Sequence, residues 1–495
     1  MHFAPSQPIF TVADLRDIES RHAGEDPPLM ERAGAAATRA ILAHSRGTRL
    51  APLIACGPGN NGGDGFVVAR LLRSRGVNPA VVFAGDEAKL PADARKALAS
   101  FRSFGGEISR EIPKRPYSLA VDALFGIGLQ RPVEGTPAEL IHRINGLGCP
   151  VLAIDIPSGL CADTGRVLGC AVKADFTATF IALKPGLLTL DGPDHCGEVS
   201  VYGLDIAPEG DLPARGRTLT PELFGSCLKP RPKNSHKGQM GGVGILGGAP
   251  GMTGAALLAG RAALKLGAGR VYVGLLDESA PAVDSGQPEL MLRRPGELFS
   301  AGLATALLAG PGLGQGADAL DLLKQALSTD LPLVLDADAL NLLAAHPVLA
   351  EHARKRTAPT LITPHPLEAA RLLGSDAAAV QADRLLATLA LAKKMNAATV
   401  LKGCGSVIAM PDGRWFINTS GNPGMASAGM GDVLAGLAAA LLAQGWEAGP
   451  ALLCAVHLHG VAADQLVENG IGPAGLTANE TIDAARRIFN AWIHR

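Results

Sequence analysis

The feature that most restricts the fold is a short apolar run that leads through a glycine-rich turn into a helical pattern. Residues 53–56 have the composition of a buried strand, and residues 66–72 place apolar side chains at helical spacing. The turn between them, residues 57–65, is rich in glycine. A strand, a turn and a helix in this order build parallel α/β sheets, whose loops bind ligands at the carboxyl ends of the strands. The sequence therefore predicts a parallel sheet with a ligand site at its edge.

The alternation of strands and helices continues on both sides of a break near the middle of the chain. The break, residues 207–239, is rich in proline, glycine and charge and is the predicted linker. We therefore expect two α/β domains, at residues 1–215 and 225–495. The strand candidates are residues 53–56, 80–83, 119–122, 151–155, 243–246, 270–274, 307–310, 333–336, 360–363 and 399–401.

A second glycine-rich motif, residues 422–436, opens directly into an apolar helix and carries Asp432. Unpaired backbone N–H groups at such a helix start converge near the positive end of the helix dipole. They can stabilise charge on a phosphoryl group while a neighbouring carboxylate accepts a hydroxyl proton. Taken alone, the motif is equally compatible with an ordinary turn before a buried helix.

Composition excludes several classes of protein. Lys and Arg number 45 against 46 Asp and Glu, and aromatic residues make up 4%, so neither the basic surface nor the stacking rings of a nucleic-acid binder are evident. The eight cysteines are scattered without a C-x-x-C pair and are expected to be buried thiols in a reducing compartment. Charges interrupt the N-terminal residues, so no signal peptide is indicated. The longest apolar runs, such as residues 433–443, are shorter than the roughly 20 residues that span a bilayer. We expect a cytoplasmic protein that binds neither nucleic acid nor membranes.

Together the motifs resemble those of one enzyme family. Residues 60–65 (NNGGDG) with residues 155–159 (DIPSG) resemble the epimerase domain of the NAD(P)H-hydrate repair enzymes. Residues 235–238 (SHKG) through 429–432 (GMGD) resemble the ADP/ATP-dependent NAD(P)H-hydrate dehydratase domain. The two resemblances cover nearly the whole chain in the order of the bifunctional enzymes. They imply an α/β fold with an N-terminal Rossmann-like three-layer domain and a C-terminal ribokinase-like α/β domain.

In the first domain, the resemblance implies a nucleotide site and a potassium ion. Asp155 would lie at the reacting nicotinamide ring, where a carboxylate can move the hydroxyl proton during epimerisation. Asn61, Asp122 and Ser158 match the family's potassium ligands. Each acid taken singly is also explained as a helix N-cap. The implied substrate-binding residues are Asn60, Asn61, Gly62, Gly63, Asp64, Gly126, Ile127, Gly128, Leu129, Gln130, Arg131, Pro132 and Asp155.

In the second domain, the resemblance makes Asp432 the catalytic base and the amides of residues 429–431 the anion hole. Asp338 and Asn341 are interpreted as helix caps rather than as contacts to a phosphate or a hydroxyl, although both remain open. A histidine between prolines is by itself more often a turn residue. The implied hydrate contacts are Ala255, Gly312, Gly314, His365 and Asp432. The implied nucleotide contacts are Lys402, Gly403, Cys404, Gly405, Ser406 and Gly431, with Ser406 standing where threonine is expected.

The resemblance implies a repair activity in two steps. The first domain would interconvert the R and S hydrates of NADH and NADPH (NADHX and NADPHX). The second would dehydrate the S form at the expense of ADP, releasing AMP and phosphate. The implied cofactors are K⁺, ADP or ATP, and Mg²⁺ without identified ligands, and the implied assembly is a homo-oligomer. The alternatives are a ribokinase-like small-molecule kinase with a nucleotide-binding N-terminal module, and a first domain that serves only as a scaffold or binding module.

Overall fold

The fold is described from a computed structural model of the chain, which covers residues 3–45 and 50–494. The chain divides into two compact units. One is Gln7–Gly216, and the other consists of Met1–Ser6 and Arg217–Arg495. Each unit is an α/β structure with its own sheet and its own buried apolar clusters.

The unit Gln7–Gly216 is a three-layer structure around a parallel sheet. Its strands are β1 (Pro8–Ile9), β2 (Pro52–Cys56), β3 (Ala80–Phe83), β4 (Leu119–Ala123), β5 (Val151–Ile154), β6 (Phe176–Phe180) and β7 (Glu198–Tyr202). Its helices are α1 (Val12–Arg21), α2 (Leu29–His44), α3 (Asn60–Arg73), α4 (Ala92–Ser103), α5 (Thr136–Asn145), α6 (Gly192–Cys196) and α7 (Pro208–Asp211). The sheet order is β3-β2-β4-β5-β6-β7, and every neighbouring pair is parallel.

Successive residues of its central strands point into different apolar clusters. Ile54 and Cys56 pack in the cluster that contains α2, α3 and α4, whereas Leu53 and Ala55 pack in the cluster that contains α5. Because side chains alternate between the faces of a strand, the near-continuous apolar run of β2 supplies both layers. Helices therefore cover both faces of the sheet.

The second unit is larger and has a mixed sheet. Its strands are β8 (Gly216–Thr218), β9 (Gly242–Gly247), β10 (Arg270–Leu275), β11 (Met291–Arg293), β12 (Ala306–Ala309), β13 (Leu333–Leu335), β14 (Thr360–Ile362), β15 (Ala398–Leu401), β16 (Val407–Ala409) and β17 (Trp415–Ile417). Its helices are α8 (Thr253–Lys265), α9 (Ala317–Leu327), α10 (Asp338–Ala345), α11 (Pro347–Arg354), α12 (Pro366–Leu373), α13 (Ala377–Ala382), α14 (Arg384–Met395), α15 (Met430–Ala443), α16 (Ala448–Glu468) and α17 (Ala478–Ile493).

Within this unit the strand order is β8-β17-β16-β15-β14-β13-β12-β9-β10-β11. The strands from β15 to β11 are parallel, whereas β15, β16 and β17 form antiparallel pairs. Helices α8, α15, α16 and α17 pack in one apolar cluster, and α9 to α14 contribute to a second one. The parallel strands therefore have helices on both faces, and their carboxyl ends lie at one edge.

All ten predicted strands are present, each with ends within one residue of the prediction. The predicted α/β fold class is confirmed as well. Short apolar runs were sufficient here because most of these strands are buried on both faces.

The helix predicted after the first glycine-rich turn begins earlier than expected, because α3 starts at Asn60 rather than at residue 66. Its glycines serve close packing instead of a turn. A Cβ on Gly62 would lie 2.0 Å from the Gly57 carbonyl oxygen, and one on Gly65 would lie 2.7 Å from Cys56 Sγ. The helix can thus pack directly against the preceding strand and loop. Asn60 and Asn61 therefore occupy its first turn.

The predicted linker is only partly a linker. Its later part contains β8 and a 3₁₀-helix at Pro221–Cys227, and Phe224 of that helix is fully buried in the second unit. Ser6 joins the same unit, since its Oγ donates to the Thr218 carbonyl oxygen at 2.7 Å. Proline and glycine content alone could not distinguish this packed segment from an open connection.

Two predictions drawn from composition need correction. Among the described residues, α16 is 21 residues long and apolar enough to cross a membrane by length and composition, although 67% of its apolar window is buried inside the unit. All eight cysteines are free. Cys56, Cys196 and Cys454 are buried as expected, but Cys404 is exposed because it lies in a loop between two strands.

Candidate active sites

In the first unit, the loops that follow β2, β4, β5 and β6 surround a cavity of about 760 Å³. Most of the predicted substrate residues line it, and two groups do not. Gly62 and Gly63 are buried within α3, and Pro132 is exposed outside the lining. The predicted residues that line the cavity are Asn60, Asn61, Asp64, Gly126, Ile127, Gly128, Leu129, Gln130, Arg131 and Asp155.

Asp155 is held at this cavity by a lysine that the sequence analysis missed. Lys184 is 1% exposed, and its Nζ donates to Asp155 Oδ1 at 2.5 Å, to Thr179 Oγ1 at 2.6 Å and to the Phe180 carbonyl oxygen at 3.0 Å. All three protons of the ammonium group are thus used. Asp155 itself has a φ of 70°. The only sequence signal for Lys184 was its place directly after an apolar run.

Two further carboxyl groups face the same cavity. Burial raises the pKa of Asp64 well above its usual range, and the charges of Asp155 and Glu19 raise it further. Burial also raises the pKa of Glu19, with the charge of Asp155 adding to it, while Lys184 and Arg16 oppose the rise. Crowded carboxyl groups in a partly dry cavity favour retention of a proton. The cavity can therefore both accept and donate protons, which suits acid–base chemistry.

The three predicted potassium ligands differ in how well they are hydrogen-bonded. Ser158 donates to Asp122 through its amide at 2.7 Å and through Oγ at 2.6 Å, and both residues are fully buried. Burial raises the pKa of Asp122 to about 6, although the bonds from Ser158 oppose the rise. Asn61 is 7% exposed, yet neither its amide oxygen nor its amide nitrogen has a hydrogen-bond partner. A buried amide without a partner is costly, so of the three side chains that of Asn61 has the most to gain from binding a ligand.

In the second unit, loops from the carboxyl ends of five adjacent parallel strands meet at one edge of the sheet. Two of these loops are joined directly, because the Gly248 and Ala249 amides donate to the Pro311 and Gly312 carbonyl oxygens at 3.1 and 2.6 Å. This link sets the start of α8, where Ala255 lies half-buried in the first turn. The loops follow β9, β12, β13, β14 and β15.

Asp338 and Asn341 do not cap the helix that contains them, so the favoured interpretation is wrong. The cap of α10 is Ala337, without a side-chain bond. Asp338 Oδ2 instead accepts the Gly314 amide at 2.9 Å, and Asn341 Oδ1 accepts from Arg371 at 2.6 Å. Both side chains bond residues distant in sequence. Asp338 thereby fixes the predicted hydrate loop that contains Gly314.

The predicted base, Asp432, lies in the first turn of α15, beside an ion pair between Lys402 and Asp336. A Cβ on Gly431 would lie 3.2 Å from Lys402 Nζ and 3.7 Å from Asp336 Oδ2, so the Gly431 backbone is close to both charges. Burial raises the pKa of Asp432 to about 6, and the charge of Asp336 raises it while Lys402 lowers it. The site thus joins a carboxyl group, an ammonium group and helix-start amides, which are the kinds of group that phosphoryl transfer uses.

His365 is a helix cap in this structure. Its Nδ1 accepts the amides of Leu367 and Glu368 at 3.1 and 3.3 Å, and the Glu368 carboxylate accepts the His365 amide at 2.8 Å. This reciprocal arrangement fixes the ring at the start of α12. Nearly half of the His365 side chain stays exposed, and burial together with the charge of Lys402 lowers its pKa. A neutral imidazole is therefore presented beside Lys402.

The predicted nucleotide loop, Lys402 to Ser406, connects β15 to β16. Ser406 Oγ closes it by donating to the Gly403 carbonyl oxygen at 2.9 Å and accepting the Gly403 amide at 3.2 Å. The hydroxyl expected from threonine is thus supplied by serine. Gly403, at a φ of 148°, leaves no room for a side chain, since a Cβ would lie 2.7 Å from the buried Arg384 guanidinium.

Comparisons with known proteins match both parts of the chain. The family model of NAD(P)H-hydrate dehydratase matches residues 243–486, and that of the YjeF-related protein N-terminus matches residues 27–186. The bifunctional NAD(P)H-hydrate repair enzyme of Coxiella burnetii is 39% identical over 93% of this chain and 94% of its own length. The Escherichia coli enzyme of the same description is 40% identical over 88% of this chain and 85% of its length.

Solved structures resemble the second unit. The ADP/ATP-dependent NAD(P)H-hydrate dehydratase of Bacillus subtilis, co-crystallised with ATP and Mg²⁺, is 31% identical with a TM-score of 0.50, covering 56% of this chain and 98% of that one. A ribokinase-like superfamily protein of Enterococcus faecalis is 28% identical with a TM-score of 0.50, covering 56% of this chain and 96% of that one.

Proposed function

This chain belongs to the family of bifunctional NAD(P)H-hydrate repair enzymes, and from that premise we propose how its two sites divide the repair. Residues 1–215 interconvert the R and S hydrates of NADH and NADPH, and residues 225–495 return the S hydrate to NAD(P)H by consuming ADP. The observation that carries the proposal is the meeting of Asp432, Lys402 and the Gly431 backbone at one start of a helix. It supplies a base and an anion site for phosphoryl transfer.

Epimerisation needs a group that moves one proton at the hydrated ring carbon. C6 of the hydrate carries both the ring nitrogen and a hydroxyl group, so the ring can lose the hydroxyl or open and then close on either face. A carboxylate at hydrogen-bond distance from that hydroxyl can accept its proton and return it. We assign this role to Asp155, which Lys184 orients toward the cavity. Asn60, Asn61, Asp64 and Gly126 to Arg131, which line the cavity, are the proposed contacts to the nucleotide.

Dehydration is proposed to proceed through a phosphate ester. Asp432 accepts the proton of the C6 hydroxyl group while the hydroxyl oxygen forms a bond to the β-phosphorus of ADP. At the same time, the bond from that phosphorus to the bridging oxygen of AMP breaks. The ring nitrogen then donates its electron pair while the C6–O bond breaks toward the phosphate. A proton lost from C5 restores the dihydropyridine, giving NAD(P)H, AMP and phosphate. The protein supplies a base, an anion hole and positioning.

The other proposed contacts follow the same geometry. Lys402 and the amides of residues 429–431 hold the transferring phosphoryl group, and residues 403–406 hold the rest of the nucleotide. Ala255, Gly312, Gly314 and His365 hold the hydrate. Mg²⁺ would accompany the nucleotide phosphates. Among the described residues no cluster of three His, Cys, Asp or Glu side chains is placed to bind a metal, so we assign this ion no protein ligand.

We further propose that Asn61, Asp122 and Ser158 hold a potassium ion. The partnerless amide oxygen of Asn61 and the buried carboxylate of Asp122 fit a hard cation, which prefers oxygen ligands. When bound, the ion would supply positive charge close to the nucleotide site. Its ligands belong to the start of α3, the end of β4 and the loop after β5. A bound ion would therefore stabilise the cavity against local opening.

Potassium is expected to raise the unfolding midpoint of the wild-type first unit, and Asn61→Leu is expected to abolish that rise. At about tenfold its dissociation constant, a ligand of the native state contributes about 1.4 kcal/mol, which corresponds to roughly 3 °C for a unit of this size. The measurement is differential scanning fluorimetry in potassium chloride against lithium chloride at equal ionic strength. Asn78→Leu, at an exposed position, is the control and should keep the response. An equal rise in the Asn61 variant contradicts the assignment.

The function itself is tested by incubating the pure protein with mixed hydrates and either ADP or ATP. Recovery of the reduced-nicotinamide absorbance beyond the S fraction, with release of phosphate, supports repair. The second candidate, a ribokinase-like kinase, is favoured by the fold match to the Enterococcus faecalis protein and predicts a stable phosphorylated product instead. Mass spectrometry of the products separates the two.

We also propose a cytoplasmic homo-oligomer, in keeping with the free thiols of the chain and the expectation for this family. Light scattering on the purified protein tests the assembly, and fractionation of the source cells tests the compartment. A monomeric mass, or recovery of the protein in a membrane or secreted fraction, contradicts these assignments.

A further inference from the structure

Asp336 is an almost fully buried charged group of the dehydratase site, and the mechanism above gives it no role. It follows β13 directly and is 1% exposed. A single oxygen, Oδ1, accepts both the Thr363 hydroxyl at 2.7 Å and Lys402 Nζ at 2.8 Å. Its carbonyl oxygen lies where a side chain on Gly310 would be, only 1.7 Å from such a Cβ. The ends of four adjacent strands, β12 to β15, thus fix Asp336 at the centre of the site.

The second oxygen of Asp336 faces the phosphoryl-transfer site. A Cβ on Gly431 would lie 3.7 Å from Asp336 Oδ2 and 3.2 Å from Lys402 Nζ. The carboxylate therefore fixes the Lys402 ammonium close to the backbone of Gly431, one of the residues proposed to bind the transferring phosphoryl group. Buried lysines lose their charge readily unless an anion stabilises it. Although burial would lower the pKa of Lys402, Asp336 and Glu368 more than compensate and the pKa is raised.

We propose that Asp336 is the positioning residue of the dehydratase site: it holds the Lys402 ammonium against the Gly431 backbone and keeps a negative charge at the start of α15, next to Asp432. The inference rests on the proposed function, since it assumes that Asp432 is the base. Asp336 acts through its two neighbours and requires no contact with either substrate. A mobile lysine would place the positive charge less accurately, and a misplacement of about 1 Å is sufficient to cost roughly 10²-fold in rate.

The charged groups around Asp432 determine in which direction its pKa, and with it the pH profile of the rate, should shift in each variant. Asp336 raises the pKa of Asp432, whereas Lys402 lowers it. Glu368 raises the pKa of Lys402, and the charge of Lys402 in turn lowers the pKa of His365. Burial with the charge of Lys402 lowers the pKa of His459 to about 4, which leaves it neutral above that pH. The dehydration rate should fall at low pH as Asp432 becomes protonated, and this fall is the acid limb of the pH profile. Removing the charge of Asp336 should therefore move the acid limb to lower pH. Removing the charge of Lys402 should move it to higher pH.

The experiment compares single-turnover dehydration of the S hydrate with ADP across pH in the full chain. Asp336→Asn is expected to lower the rate about 10²-fold, weaken ADP binding and shift the acid limb down. Lys402→Gln is expected to shift the limb up. Asp284→Asn is the matched control, because it breaks a buried carboxylate pair with Arg261 in the same unit. It should lower the unfolding midpoint while leaving the limb in place.

An unchanged or upward limb in Asp336→Asn overturns the inference. Should that variant fail to fold, Thr363→Val is the second test, because it removes the hydroxyl that donates to Asp336 Oδ1. It is expected to lower the rate and weaken ADP binding, and an unchanged rate and affinity overturn the inference. These outcomes are distinct from failure of the proposed function, in which the wild-type protein shows no ADP-dependent dehydration or Asp432→Asn retains it.

Discussion

Asp432→Asn is expected to reduce ADP-dependent dehydration about 10²–10⁴-fold while ADP still binds. The amide cannot accept the hydroxyl proton, but it has the same shape as the carboxylate and leaves the start of α15 intact. Because burial and the charge of Asp336 raise the pKa of Asp432 to about 6, the wild-type rate should also fall as the pH drops below that value and the base becomes protonated.

The measurement for this variant is the rate of reduced-nicotinamide recovery from pure S hydrate, with ADP binding followed by calorimetry. Asp412→Asn serves as the control, since Asp412 is exposed on a turn and is paired only with Arg414 in the bonds described. It should keep both rate and affinity. Full turnover in Asp432→Asn, or loss of ADP binding together with the rate, contradicts the assignment of a base.

Asp155→Asn is expected to slow the interconversion of R and S hydrates about 10²–10⁴-fold. Asparagine is the matched replacement because residue 155 has a φ of 70°, a backbone conformation that asparagine tolerates better than alanine. The amide keeps hydrogen-bonding capacity beside Lys184 but cannot accept a proton. Interconversion is measured by chiral chromatography of hydrates incubated without ADP.

The second activity of the same chain provides the internal control. Asp155→Asn should still dehydrate the S hydrate with ADP at the wild-type rate. In a mixture of both hydrates, the R hydrate should then remain, except for the part that interconverts spontaneously. Asp432→Asn should show the reverse, epimerisation without recovery. Interconversion at the wild-type rate in Asp155→Asn removes this residue from the mechanism.

Local sequence patterns predicted the strands and the family. They did not predict the hydrogen bonds and ion pairs that join residues distant in the sequence at the two sites. Buried strands can be recognised in the sequence as apolar runs, so the strands at residues 151–155 and 333–336 were predicted to within one residue. The early start of α3 was missed because its glycines permit close packing against the preceding strand and loop. Composition alone does not distinguish a glycine that allows close packing from one that forms a turn. Asp338 was interpreted as a cap because a cap is a local device, whereas its partner is Gly314 on another loop.

The same limit explains the residues that were overlooked. Lys184 and Asp336 carry no motif, and their roles arise only where several strand ends meet. Asn61 was predicted from the resemblance, but the absence of any partner for its buried amide is visible only in the structure. The cavity, the ion pairs and the proximity of Gly431 to Lys402 are likewise consequences of topology.

The fate of the hydroxyl oxygen tests the phosphoryl-transfer account most directly. The S hydrate would be prepared with isotopically heavy oxygen at C6 and converted by the wild-type enzyme with ADP, and the products analysed by mass spectrometry. Esterification before expulsion predicts that the label appears in the released inorganic phosphate and in neither AMP nor water. Label recovered in water would contradict the account, because the hydroxyl group would then have left without ever joining the phosphate.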